Sequence, residues 1–169
     1  MMSAVGEFFR QPCRRYRNFQ IVFTILTLNF VLPALSYTFQ PDVAMDQFLQ
    51  VNAILGGSAY TFPEASSRVW RYLAAANVMT LGFCCLLLQL DLRRFFAVLV
   101  PLTFMKGYAT LCWLVGWLYA PEYRFFLAAA VLDLVTCGAF VWFATRAKAE
   151  IDQREAAELI PRPWTERRR

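Results

Sequence analysis

Lys106 and Asp133 each stand near the middle of a long apolar run, and they are the side chains of this sequence best placed to do chemistry. An ionised group at the centre of a bilayer costs about 2.5 to 3.5 kcal/mol on insertion scales, so a chain that keeps two is expected to give them to each other. An amine beside a carboxylate at such a depth can hold the polar group of a lipophilic molecule, exchange a proton, or fix the register of two helices. Counting from the nearest basic residue at about 1.5 Å per residue, Lys106 lies roughly 18 Å from Arg94 and Asp133 roughly 19 to 20 Å from Arg146. By the same count Asn29 lies roughly 18 Å from Arg17, and Asn77 roughly 21 Å from Asp91. Thr103 and Thr110 share the helix face of Lys106, and Thr136 and Cys137 that of Asp133. The expected site is a mid-membrane polar layer of Lys106, Asp133, Asn77, Asn29, Thr110 and Thr136. Tyr60 and Phe62 would stand over its outer mouth in an extended stretch that also reads as a plain connector.

The elements that must carry this layer follow from composition. The chain has 169 residues, 59% of them apolar, 17% aromatic and 17% charged, which departs from a soluble domain toward a membrane protein. Apolar runs of about 20 residues, enough to cross roughly 30 Å of hydrocarbon, occur at about residues 19–38, 69–90, 95–119 and 124–145. The expected fold is an all-α integral membrane bundle of four transmembrane helices spanning 19–145. A basic N-terminal segment, 1–18, precedes it, and a helical stalk with a basic tail, 146–169, follows.

Basic residues near the ends of spans are retained on the cytoplasmic side. With the N-terminus inside, thirteen of them (Arg10, Arg14, Arg15, Arg17, Arg93, Arg94 and seven from Arg146 onward) are cytoplasmic, against Arg68, Arg71 and Arg124 outside. Both termini are therefore expected inside. The net charge of +5 then reflects this bias together with attraction to anionic lipid, and nucleic acid is not an expected partner. A competing reading takes Arg14-Arg15, the apolar stretch and Ala34-Leu35-Ser36 as a secretory signal, which would leave three spans. The run is longer than the usual signal core, and a retained first helix gives an even, closed bundle.

Local signals fill in the rest. Pro33 removes the bond to the carbonyl of Asn29. Between the first two spans, residues 39–68 hold a short helix opened by Pro41-Asp42 and closed by Gly56-Gly57. Met45, Phe48, Val51 or Asn52, and Leu55 share one face, as in a helix lying at the outer interface with Asp46 and Gln50 in water. Ser66 or Ser67 is expected to cap the second span. Pro101 and Gly107 flank Lys106 as interruptions of the kind that line a cavity or pack on a neighbour. Trp70, Tyr72, Trp117, Tyr119 and Tyr123 form an outer aromatic belt, and Tyr16, Phe95, Phe96 and Trp142 an inner one. Lys148 with Asp152, and Glu150 with Arg154, suit a solvated stalk ending before Pro161 and Pro163.

Histidine is absent, which excludes histidine-ligated haem, carboxylate-histidine di-iron bundles and the usual zinc hydrolase sites. The five cysteines show no metal-ligand spacing. Those inside spans read as small apolar packers, and Cys13 stands near the membrane where lipidation is conceivable. No metal or cofactor is expected, and no nucleophile with its base or phosphate loop is present, so catalysis is the weaker reading.

A bundle of four short spans, an amphipathic segment at 39–68, a basic residue in the third span (Lys106) and an acidic one in the fourth (Asp133) together resemble the DoxX-like group of small bacterial membrane proteins. The likeness covers most of 19–145. Lysine and aspartate here replace the arginine and glutamate more usual in that group. The resemblance implies a bacterial inner-membrane location, a periplasmic segment at 39–68, and a role as an accessory membrane subunit, in some members tied to quinone or thiol redox systems. Two functions from different classes follow: a non-catalytic accessory or interaction subunit partnered by another membrane protein, or a binder, carrier or isomerase of a lipophilic small molecule anchored by Lys106 and Asp133. A proton or ion pathway is disfavoured, since no chain of further acids leads to either surface.

Overall fold

A computed structural model describes residues 13–59 and 64–156 of the chain. Among them every regular element is helical. Five helices follow in order: α1 (Arg14–Phe39), α2 (Pro41–Ile54), α3 (Glu64–Leu90), α4 (Leu99–Tyr119) and α5 (Arg124–Ala156). Four of these, α1, α3, α4 and α5, are long and apolar enough to cross a membrane, the make-up of a multi-pass membrane protein. Threonines inside them stay compatible with an apolar setting by donating to their own helix four residues back. Thr24 bonds the carbonyl of Gln20, Thr27 that of Phe23, Thr38 that of Ala34 and Thr80 that of Ala76.

The helices pack as two pairs, α1 on α3 and α4 on α5, joined mainly by α1 against α5; α3 and α4 touch much less. Gly82 permits the first pairing, because a Cβ there would stand 2.8 Å from Cγ2 of Val31. The side chain of Thr24 bonds that of Gln89 at 2.7 Å, so α1 and α3 run antiparallel with Thr24 level with Gln89 and Val31 level with Gly82. The core is concentrated toward the end of the bundle that carries Arg14, Arg93 and Arg146, here the basic end. Phe19, Phe23, Leu88, Leu92, Leu102 and Phe140 are fully buried there, and Phe140 packs between Phe23 and Phe30.

Several local expectations change. α3 is already helical at Glu64, so Ser66 and Ser67 lie within the helix and not at its cap. The third span opens with a 3₁₀ turn, Phe96–Val98, and Pro101 lies in the first turn of α4, where its missing N–H breaks no helical bond. A Cβ on Gly107 would find nothing within 4 Å, so this glycine serves no close approach. Tyr16 and Cys13 are buried in the core and not spread at an interface, which leaves the Cys13 thiol inaccessible to a lipid-transferring enzyme. The start of the stalk has a buried face too, because Ala147 and Ile151 pack with the first turns of α1. The carboxylate of Glu150 accepts from the backbone N–H groups of Arg15 (2.8 Å) and Tyr16 (3.1 Å), satisfying donors that α1 leaves open at its own uncapped N-terminus. Arg93 reaches Asp152 at 3.1 Å and Lys148 reaches it at 2.6 Å, which closes the basic end.

At the opposite end, the loop end, Gly56 adopts φ +75, a left-handed conformation that ends α2 and that glycine takes without steric cost. Asp46 and Gln50 are exposed as expected, and it is Asn52, not Val51, that turns inward. The Asn52 amide donates to the carbonyl of Ser58 at 2.8 Å and accepts from the N–H of Phe125 at 3.2 Å. One buried side chain thereby holds the 55–59 turn against the start of α5. Ser58 bonds Glu122, and Arg124 bonds the carbonyl of Leu55 at 3.0 Å, which completes the clasp.

Candidate functional site

Lys106 on α4 and Asp133 on α5 meet. The amine donates to one carboxylate oxygen, and each side chain is only 13% exposed. Three helices contribute to the surroundings. From α1, the ring of Phe30 faces the Lys106 ammonium, with the nitrogen 5.0 Å from its centroid. From α4, Trp113 donates its indole N–H to the second oxygen of Asp133 at 3.2 Å. Lys106, Thr110 and Trp113 recur at steps of four and three, so one face of α4 carries all three side chains toward α5. Both carboxylate oxygens are thus bound, and the cation has an anion and a π face. A charge pair satisfied in this way is tolerated at a depth where either charge alone is not.

The remaining expected members fall elsewhere. Thr110 is buried, but its hydroxyl bonds the carbonyl of Lys106 in its own helix. Thr136 likewise bonds the carbonyl of Leu132, and neither hydroxyl reaches the ion pair. Cys137 does bridge the helices, with its thiol 3.6 Å from the carbonyl of Thr103. Asn29 and Asn77 do not join the layer: both are exposed on the outside of spanning helices. Asn29 sits two residues from both Thr27 and Val31, and so points away from the face of α1 that meets α3. Asn77 comes level with Ser36 in the register of α1 and α3, seven residues or about 10 Å nearer the loop end than Asn29. Depths counted from Arg17 and from Asp91 start at different levels, and this is why the two amides looked coplanar in the sequence. Tyr60 and Phe62 lie outside the described residues.

Trp113 also belongs to a series of rings that runs from the ion pair to the loop end. It stacks on Phe126 with centroids 5.9 Å apart and meets Phe125 edge-on at 5.9 Å. Phe125 meets Phe48 of α2 at 4.9 Å, and Phe48 meets Tyr37 of α1 at 5.8 Å. Where α2 leans on the start of α5, an apolar pocket of about 200 Å³ opens between Phe48, Leu49, Asn52, Tyr123, Phe125 and Phe126.

A second polar cluster, absent from the expected site, lies nearer the basic end. Gln20 is fully buried and its amide donates to the hydroxyl of Tyr16 at 2.9 Å and to the carbonyl of Gln89 at 3.1 Å. Gln89, also buried, donates to Thr27 at 2.7 Å and to the carbonyls of Phe23 and Cys85, and accepts from Thr24. This cluster ties α1 to α3 as the ion pair ties α4 to α5. Among the described residues no group of three or more cysteines and carboxylates could hold a metal ion.

Comparisons with protein-family models, with curated proteins and with solved structures returned no match to this chain.

Proposed function

We propose that this chain is a non-catalytic accessory or interaction subunit of the bacterial inner membrane, DoxX-like in architecture, with both termini cytoplasmic and α2 lying at the periplasmic interface. One observation carries the reading. The charged pair that could have done chemistry is used up by internal partners, whereas Asn29 faces outward in mid-span and has no hydrogen-bond partner among the described residues. Hydrocarbon offers an amide neither donor nor acceptor, so an outward asparagine at that depth calls for a polar group on another protein. The test is purification of the full chain from its native membrane in mild detergent. A different membrane protein should be retained at stoichiometric yield and lost on Asn29→Leu; migration without such a partner would overturn the reading.

A second reading, binding of a lipophilic small molecule, is favoured by one feature: the apolar pocket beside Asn52, joined by stacked rings to the Trp113 indole that bonds Asp133. Its volume is below the roughly 300 to 1,000 Å³ usual for ligand sites, which suits one ring or the end of a chain better than a whole cofactor. Lipid extraction and mass spectrometry of the purified protein should then find an enriched molecule that is absent from Asp133→Asn. Recovery of bulk phospholipid alone would exclude it.

A further inference from the structure

Trp70, Ala74, Asn77, Leu81, Cys84 and Leu88 follow one another on α3 at alternating steps of four and three, and so form a single stripe. At the basic end the stripe is core: Leu88 is fully buried, Leu81 is nearly so, and Cys84 packs against them. At the loop end the same stripe is bare, with Asn77, Ala74 and Trp70 all exposed. α4 changes in the same way, since Met105 packs on the core and Cys112, two turns on, is exposed. α3 and α4 therefore part company toward the loop end, and Asn77 sits in the uncovered continuation of a packed interface. Its side chain has no hydrogen-bond partner among the described residues. It lies seven residues, about 10 Å, below Trp70, which is inside the hydrocarbon if Trp70 marks the interface.

We propose that α3 of a second copy covers this stripe, the two chains being related by a two-fold axis along the membrane normal with Asn77 bonded to the second copy's Asn77. An acyl chain could fill the gap but could not satisfy the amide. Copies inserted in one sense bring identical residues to one depth, and a carboxamide, carrying both donor and acceptor, is complementary to itself as neither Lys106 nor Asp133 would be. A head-to-tail contact of Asn29 with Asn77 is ruled out by the offset of about 10 Å between them, so the arrangement closes as a dimer and does not propagate. Ala74, one turn from Asn77 on the same stripe, lets two backbones approach. The proposal concerns a different face from Asn29 and does not require the accessory role.

The full chain, sparsely labelled in liposomes, is expected to bleach in two steps, and Asn77→Leu to weaken self-association about three- to thirty-fold. Asn77 is exposed, so this variant should unfold like the wild type, which separates loss of the dimer from loss of the fold. In a cysteine-free background with wild-type unfolding, Ala74→Cys should form a disulfide-linked dimer on oxidation in membranes. Leu132→Cys, on the exposed side of α5, should not. Single-step bleaching without an Ala74→Cys cross-link overturns the proposal, as does an Asn77→Leu chain as dimeric as the wild type. If the chain is single yet holds a different membrane protein, the dimer is refuted and the accessory role stands; a dimer with no other subunit gives the converse.

Discussion

Replacing Asp133 by alanine strands the Lys106 ammonium in a setting where only 13% of its side chain is exposed, and leaves the Trp113 indole without its acceptor. Removing one partner of a buried pair typically costs about 3 to 5 kcal/mol. Losing the acceptor of a buried indole N–H adds about 1 kcal/mol, whereas the Phe30 ring faces the amine before and after the change and does not enter the difference. A loss of about 4 to 6 kcal/mol is therefore expected for Asp133→Ala. Adding Lys106→Met removes the orphaned charge and fills its volume, and the double variant should lose only about 1 to 2 kcal/mol. The rescue by Lys106→Met, about 2 to 5 kcal/mol relative to Asp133→Ala, exceeds the roughly 0.6 kcal/mol average of ordinary side-chain hydrogen bonds between membrane helices. It thus distinguishes a desolvated ion pair from a mere contact. The measurement is reversible unfolding in mixed micelles with increasing dodecyl sulfate, followed by circular dichroism and tryptophan fluorescence for the four members of the cycle. A double variant as damaged as Asp133→Ala would refute the reasoning, since Lys106 would then not depend on Asp133.

Three further outcomes are expected. Trp113→Phe keeps the stacking on Phe126 but loses the indole bond, so it should cost about 1 to 2 kcal/mol in the wild type and almost nothing more in Asp133→Ala, as measured by the same titration. Gly82→Ala drives a methyl group to 2.8 Å from Val31 and should cost about 1 to 3 kcal/mol; Val31→Ala in the same chain should restore most of it, and a failure to do so would place the strain elsewhere. Asn52→Leu unclasps the 55–59 turn from α5, so amide exchange there and at Phe125 should quicken about ten-fold while α3 is unchanged; uniform quickening would mean global destabilisation.

The ion pair was legible because a charge in an apolar run has few stable solutions, and two such runs left one obvious partnership. The helices themselves were legible from length and composition, and the α2 turn from Gly56. Trp113 was not, being one aromatic among many; its spacing of seven from Lys106 was the available signal. The Gln20–Gln89 cluster was missed for a related reason. Gln20 stands close to the arginines of the N-terminal segment and reads as part of a wet interface, and only the packing of α1 on α3 draws it inside. Asn29 and Asn77 failed differently. Depth along a single helix can be counted from sequence, but the rotation of that helix and its offset from its neighbour depend on contacts such as Gly82 with Val31, and these decide which way an amide points. The stalk was misread because Lys148 and Asp152 do pair four apart, as on any solvated helix, while Ala147 and Ile151 between them pack inward.

The carboxylate of Glu150 that completes the start of α1 has a consequence for biogenesis. The carboxylate reaches the start of α1 only after α5 has been made and threaded back beside it, 135 residues beyond Arg15. This contact forms only once the chain has been made past residue 150, and an intermediate stalled earlier would hold its spans in the bilayer without that latch, exposed to quality-control proteases on that side.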